Sequence, residues 1–153
     1  MPYVGRSINQ NANIVSTEQI FHGDTSYNSS QYVLYGTTTD ATETEIFVGG
    51  VSNSRVAVAT NTTVFYDVNV VGRRTDATGE SAGFHLKAVA DNFSGTTADV
   101  GTVYEVVVAR DDANWQVDAQ ADDTSDSIKI LVTGAAGKTI RWTALVKTYE
   151  VSE

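Results

Sequence analysis

The chain contains no cysteine and a single proline, at position 2, among its 153 residues. The lack of cysteine excludes disulfides, a cysteine nucleophile and thiolate zinc sites, and it leaves the redox compartment undetermined. Valine and threonine are the commonest residues of the chain. Threonine and valine favour strands, while clusters of glycine, asparagine and aspartate favour turns, so the composition indicates a β-rich protein.

Positive charge is also scarce, because 10 Lys and Arg stand against 19 Asp and Glu, a net charge of −9. Nucleic acid is therefore not expected as a partner, since phosphate binding needs a basic face. No apolar run approaches the length of a bilayer span, so we expect no membrane partner either. With 41% hydrophobic and 19% charged residues, the chain is too apolar for disorder and long enough for one globular domain.

Alternation of apolar and polar residues predicts strands along most of the chain. The clearest segments are residues 62–74 and 82–91, and the others are 32–36, 45–50, 55–60, 103–110, 114–121, 127–133 and 139–151. Turn signals separate them, and no segment keeps a helical period for three turns. The sequence thus predicts an all-β fold, an antiparallel β-sandwich of jelly-roll-like type with about nine strands. Phe84, Trp115 and Trp142 share apolar faces and are expected in its core.

The first 30 residues are polar and show weak periodicity. We expect residues 1–30 to form an extended N-terminal arm and edge segment, followed by a single β-sandwich domain over residues 31–153. Tyr3, Ile20 and Phe21 offer spaced apolar contacts and Arg6 a charge-assisted donor, through which the arm would bind a neighbouring molecule. The alternative is a frayed terminus with one edge strand.

The stretch GAAGKTIRW, residues 134–142, contains the Gly-Lys-Thr that ends the phosphate-binding loop of nucleotide hydrolases. That loop requires a glycine where Val132 stands, and a helix after the lysine. The residues after Lys138 alternate with a period of two, which is typical of a strand. The sequence therefore predicts no nucleotide binding, and it predicts that residues 134–137 form the short loop of a β-hairpin.

Catalytic and metal-binding patterns are equally weak. His22 and His85 lie far apart in the sequence, and His85 falls on the polar face of a strand, which favours a surface histidine. The acidic stretch at residues 122–126 lacks the glycine and closing glutamate of an EF-hand loop, so a solvated turn is expected, with a weak calcium site as the alternative. No nucleophile and base come together. We therefore predict no enzyme, no cofactor and no metal.

Arg73 and Arg74 form the densest positive spot in this acidic chain. The pair is either solvated or engaged in an ion pair with an acidic neighbour across an interface. Together with the four arm residues named above, these arginines are the candidate interaction residues. Tryptophan and tyrosine could instead build a platform for sugars, but Trp115 and Trp142 share their faces with small apolar residues, which favours the core.

Three stretches, residues 37–58, 70–92 and 114–151, resemble in order a β-rich domain recurrent in virion proteins of tailed bacteriophages, often at the end of tail fibres. The pattern consists of a basic pair followed by Thr-Asp, a downstream Glu-Ser-Ala, a tryptophan strand with an Asp/Asn turn, and a closing TGxAGKTIRW. In this chain these elements are residues 73–76, 80–82, 114–126 and 133–142. The opening YVGRSI is also similar to openings common in such proteins.

The resemblance implies a structural or binding role in a phage particle. A capsid decoration or cement protein on the virion surface, bound to the major capsid protein or another virion protein as a homotrimer, is the first interpretation. The second is a tail-fibre accessory or receptor-binding domain that recognises a host glycan. A non-viral carbohydrate-binding module is the third. Glycan binding would favour the latter two, whereas location on the shell would favour the first.

Overall fold

The computed structural model describes residues 18–21, by backbone alone, and residues 26–153. Within these ranges the chain forms strands and no helices, and therefore no helix that could cross a membrane. The strands are β1 (Glu18–Phe21), β2 (Tyr27–Thr38), β3 (Thr44–Val48), β4 (Val56–Ala57), β5 (Thr62–Arg74), β6 (Ser81–Phe93), β7 (Thr96–Asp99), β8 (Tyr104–Arg110), β9 (Gln116–Asp122), β10 (Ser127–Thr133) and β11 (Ile140–Ser152).

All pairings are antiparallel, and the strands join into one sheet in the order β4-β10-β3-β2-β11-β5-β6-β7. In addition, β1 pairs with β2, β8 with β6, and β9 with β10. The sheet curls on itself, so that a layer of long strands (β2, β11, β5 and β6) faces a layer of short strands (β3, β4, β9 and β10). The predicted all-β antiparallel sandwich is confirmed.

Each of the nine predicted segments contains a strand, and β5 has the predicted bounds. The structure adds β7, whose sequence TTAD is too short and polar to show an apolar alternation. It also places β1 beside β2, with Ile20 opposite Ser29 in the register. Strand β2 extends across the predicted boundary at residue 30, and the division into an arm and a domain stays a prediction.

The prediction of a hairpin at residues 134–137 is wrong. Strand β10 pairs with β9 on one edge and with β3 and β4 on the other, whereas β11 pairs with β2 and β5. The loop between them therefore carries the chain from the short-strand layer to the long-strand layer. Because both edges of β10 are already occupied, β11 cannot pair with it, and a short loop between two strands does not reveal this in the sequence.

Trp142 lies at the centre of the core between the two layers. Its indole Nε1 donates a buried hydrogen bond of 2.9 Å to Thr38 Oγ1. Its ring packs edge-on against Trp115, with 5.6 Å between centroids, and obliquely against Phe84, at 6.4 Å. Gly72 lies beneath the ring, and a Cβ there would come within 2.5 Å of it. The predicted core positions of Phe84, Trp115 and Trp142 are thus confirmed.

Side chains, rather than a further ladder, hold β7 against β9 where the curled sheet comes back on itself. The Asp99 carboxylate accepts the Tyr66 hydroxyl through Oδ1 and the Ala121 N–H through Oδ2, both at 2.9 Å. The Thr97 N–H donates to Asp123 Oδ1 at 2.7 Å. Burial raises the pKa of the Tyr66 phenol, and the neighbouring Asp99 raises it further, so the hydroxyl stays a donor.

Replacement of Trp142 by alanine should lower the free energy of unfolding by ~3–5 kcal/mol, the range for large aromatic truncations in a core. Thr38→Val should cost ~1–3 kcal/mol, because it leaves the buried indole N–H without an acceptor. Thr37→Val, at the exposed neighbouring position, is the matched control and should stay within ~0.5 kcal/mol of the unsubstituted protein. Guanidinium denaturation measures all three. Equal stability of the two threonine variants would contradict the role of the Trp142 hydrogen bond.

Candidate interaction surface

Five charged side chains meet where the end of β5, the loop from β5 to β6, the loop from β8 to β9 and the loop before β11 come together. Arg74 Nε lies 2.9 Å from Asp76 Oδ1, and Arg74 Nη1 lies 2.8 Å from Glu80 Oε2. Lys138 Nζ lies 2.7 Å from Glu80 Oε1 and 2.6 Å from Asp112 Oδ2. The two cations and three carboxylates form a continuous chain of charge-assisted hydrogen bonds, named here the ion-pair cluster.

The cluster shifts the pKa of each of its members towards the charged form. Hydrogen bonds from Lys138 lower the pKa values of Glu80 and Asp112, and Arg74 adds to the effect on Glu80. Hydrogen bonds from Arg74 lower the pKa of Asp76. In return, the carboxylates of Asp112 and Glu80 raise the pKa of Lys138, and those of Asp76 and Glu80 raise that of Arg74.

The Gly-Lys-Thr of the apparent phosphate loop is part of this cluster. Two carboxylates hold Lys138, and the Thr139 N–H donates to Asp76 Oδ1 at 3.1 Å. Gly134 is required because a Cβ there would clash with Thr38 Oγ1 and approach the Asp40 carbonyl to 2.9 Å. Val132 is buried in the core, and a strand follows the lysine. The motif therefore fixes the loop between the two layers.

The structure separates the two neighbouring arginines that the sequence offered as one candidate. Arg74 is engaged within its own chain by the ion-pair cluster, whereas Arg73 points to the opposite face of β5 and is exposed. Arg73 lies directly opposite Arg141 of β11, which is also exposed. Sequence reasoning missed Arg141, because nothing in the sequence relates two residues on strands so far apart in the chain.

Neither Arg73 nor Arg141 forms an ion pair within the described part of the chain. Cβ atoms of directly opposed residues lie about 4.5–5.5 Å apart, and like charges there destabilise the sheet. On the other side of Arg73 lies Ser81 of β6, whose N–H donates a hydrogen bond of 2.8 Å to the Asp111 carboxylate. This carboxylate is therefore bonded to the backbone and forms no ion pair with Arg73. The arginine pair is thus a positive spot without an ion-pair partner in an acidic protein.

Exposed aromatic and aliphatic side chains gather at the other end of the same face. Phe65 and Tyr149 are directly opposed, with ring centroids 5.9 Å apart. Val151 and Tyr27 form the next row, and all four side chains are exposed. With half-buried Val89 they line a shallow, mostly apolar depression, named here the aromatic patch. The alternation of β5 and β11 buries one face of each strand and presents these residues on the other.

Between the arginine pair and the aromatic patch the face carries exposed apolar side chains, Val71 at 55% and Tyr35 at 47%, followed by charged residues. His85 Nε2 lies 3.0 Å from Asp67 Oδ1, and Lys87 Nζ lies 3.7 Å from Asp67 Oδ2. The expected position of His85 on the polar face of its strand is confirmed, since the side chain is about a quarter exposed, at 28%. His22 lies outside the described residues.

Of the four candidate arm residues, Tyr3 and Arg6 lie outside the described residues. Ile20 and Phe21 belong to β1, where they are paired with Ser29 and Asn28. This pairing sets β1 beside the end of β2 that borders the aromatic patch. The role of these four residues in binding stays a prediction.

The acidic turn between β9 and β10 is engaged in the fold. Asp122 forms an ion pair of 2.8 Å with Lys129 and accepts hydrogen bonds from Ser125. Asp126 Oδ1 accepts the Thr97 hydroxyl at 2.7 Å. Within residues 18–21 and 26–153, no three histidine, aspartate or glutamate side chains are placed to hold a metal ion.

Comparison with known proteins gives little guidance. No family model matches the chain, and no curated protein does. One solved structure that matches is the crystal structure of a tailspike protein gp49 from Acinetobacter baumannii bacteriophage Fri1, a capsular polysaccharide depolymerase. The match has a TM-score of 0.49 and 10% identity, and it covers 89% of this chain and 21% of that one. A likeness at this level bears on neither the activity nor the partners of the present chain.

The ion-pair cluster should make stability depend on pH in the acidic range. Glu80 and Asp112 have folded-state pKa values below their ordinary values of 4.5 and 3.8. Their contribution is therefore complete above those values and is lost as the pH falls through the lowered ones. We expect the melting temperature to decrease as the pH is lowered from about 5 to about 2. The substitution Lys138→Met should make that decrease smaller.

Lys147→Met is the matched control, because Lys147 forms no ion pair among the described residues. It should leave the pH dependence unchanged. Calorimetric melting at a series of pH values gives the comparison. The same pH dependence in the Lys138 and Lys147 variants would show that the cluster contributes nothing measurable.

Proposed function

We propose that this protein is a structural component of a bacteriophage virion that decorates the capsid and stabilises it by binding the major capsid protein. The face that holds the arginine pair and the aromatic patch is its docking surface. The observation on which the proposal mainly rests is that one broad, regular sheet face combines exposed aromatic side chains with a cationic pair. Aromatic residues and arginine are the residue types enriched at protein interfaces.

The sequence resemblance supports the virion assignment, and the structure explains which parts of it concern folding. Arg74, Asp76, Glu80 and Lys138 all come from the shared pattern, and they meet in the ion-pair cluster. A role in fixing the loop between the two layers accounts for these four positions of the pattern without any catalytic function. The proposed docking surface lies on the opposite face of β5, and its arginines, Arg73 and Arg141, belong to the same pattern.

The geometry of the docking face suits a repetitive surface to which many copies of the protein bind. Its individual features are modest, with one aromatic patch and one pair of arginines, so a single contact would be weak. On a symmetric shell the same contact recurs, and linked copies gain affinity by avidity. A homotrimer, as the resemblance implies, would present three such faces. Arg73 and Arg141 would accept carboxylates of the capsid surface in charge-assisted hydrogen bonds.

A tail-fibre accessory or receptor-binding domain for a host glycan is the second candidate. The observation that favours it is the exposed pair of rings of Phe65 and Tyr149, with Tyr27 exposed nearby. Exposed aromatic rings have apolar faces on which a sugar ring can stack. A non-viral carbohydrate-binding module would use the same rings, so glycan affinity separates both of these alternatives from capsid decoration.

Binding of the purified protein to phage heads stripped of it tests the proposal. The double variant Arg73→Glu, Arg141→Glu should weaken binding by at least about tenfold, because it places carboxylates against the acidic groups expected on the shell. Tyr149→Ala should also weaken it, through the lost apolar contact. Lys147→Glu, a single charge reversal between the two features on the same strand, is the control and should change affinity less than the double variant.

The same variants on a glycan array complete the test. Capsid decoration predicts binding to heads and no glycan affinity. Glycan binding that is lost in Tyr149→Ala, together with no affinity for heads, would replace the proposal with the second candidate. Binding to heads that is unaffected by either the arginine or the tyrosine substitutions would show that the docking face is wrongly assigned.

A further inference from the structure

Strand β8 is an unprotected edge of the sheet. It pairs with β6 alone, and no described strand lies along its other side. Six of its seven residues are exposed, including Tyr104 at 63% and Val108 at 67%. An edge strand presents a row of unpaired N–H and C=O groups, and an exposed apolar one is a template for pairing with another chain.

The sequence of β8, YEVVVAR, lacks most of the features that protect an edge. It contains no proline and no lysine, and its centre is three consecutive valines, at positions 106–108. One irregularity is present, because the register with β6 shifts between Gly83 and Phe84, so that Val108 has no direct partner. The strand is otherwise a regular, apolar ladder edge, which is the geometry that adds a strand from another molecule.

We propose that β8 pairs antiparallel with β8 of a second copy of this chain, which makes one sheet continuous across a two-fold dimer. The charges of the strand support β8 of a second copy as the partner strand. Glu105 lies near the start of β8 and Arg110 at its end. In an antiparallel pair the start of each β8 strand lies beside the end of the other. Each glutamate then lies near an arginine of the opposite copy, and the valines of the two strands face each other between them.

The two-fold arrangement also limits the assembly. Because the same strand serves both copies, the contact is isologous and closes after two molecules, which removes both exposed edges. A head-to-tail contact would pair β8 with a different edge of the next molecule and would continue into a ring or a filament. This dimer does not depend on the capsid-binding role proposed above, and the homotrimer implied by the resemblance is an alternative outcome of the same experiment.

Sedimentation equilibrium of the purified protein, from about 1 µM to about 500 µM, tests the proposal because this range covers weak self-association. We expect a monomer–dimer equilibrium. Val108→Pro places a proline at the irregular position of the edge, where proline is tolerated, and should weaken the dimer by at least about tenfold because proline blunts a sheet edge. Val108→Lys should have the same effect and provides a second variant in case the proline perturbs folding.

Val71→Lys is the matched control, since Val71 is also an exposed valine, at 55%, but lies on the face of β5 rather than at an edge. It should leave dimerisation within about twofold of the unsubstituted protein, and circular dichroism should show that all variants are folded. A monomer at every concentration, a trimer, or a dimer that both Val108 variants leave intact would each overturn the proposal. Loss of the dimer in Val71→Lys alone would assign self-association to the sheet face instead.

Discussion

The packing of Trp142 between the two layers is the constraint on which the rest of the structure depends. The indole donates a hydrogen bond to Thr38 of β2, lies over Gly72 of β5, and contacts Phe84 of β6 and Trp115, the residue before β9. One side chain thus touches or bonds both neighbours of its own strand and the opposite layer. A sheet that curls far enough to cover its own apolar face needs such a contact, because no regular ladder joins the two layers at this point.

The ion-pair cluster explains why the loop before β11 is held at one place above that core. Lys138 and Thr139 are tied to Glu80, Asp112 and Asp76, all of which belong to other segments. Gly134 lets the loop lie against Thr38, the residue that also accepts the indole hydrogen bond. The core contact and the surface charges therefore hold the same loop. The Gly-Lys-Thr motif, which in the sequence suggests phosphate binding, fixes this loop to the rest of the fold.

The strands could be predicted because apolar and polar residues alternate along them. Each layer buries one face of its strands and leaves the other exposed to solvent. Residues 62–74 show this pattern over their full length, and β5 has those bounds. The pairing of the strands could not be predicted, since it depends on which edges are free, and the occupied edges of β10 turned an expected hairpin into a crossing between layers. The candidate site was predicted in part. Arg73 was identified, but its partner Arg141 follows only from the register of β5 with β11.

The two faces of β5 have different surroundings. One face builds the core, and the end of the strand supplies Arg74 to the ion-pair cluster, while the other face exposes Phe65 and Arg73. In this proposal Arg74 and Lys138 of the shared pattern belong to the scaffold, whereas Arg73 and Arg141 of the same pattern belong to the docking face. The same scaffold could then serve different positions in a virion through changes on one face.

Cryo-electron microscopy of phage particles assembled in the presence of this chain tests the proposed capsid role most directly. We expect density for the domain on the capsid shell, with Arg73, Arg141 and the aromatic patch against the major capsid protein. Density at the tip of a tail fibre with this face open to solvent would contradict it. Absence of the chain from purified particles would contradict the virion assignment altogether.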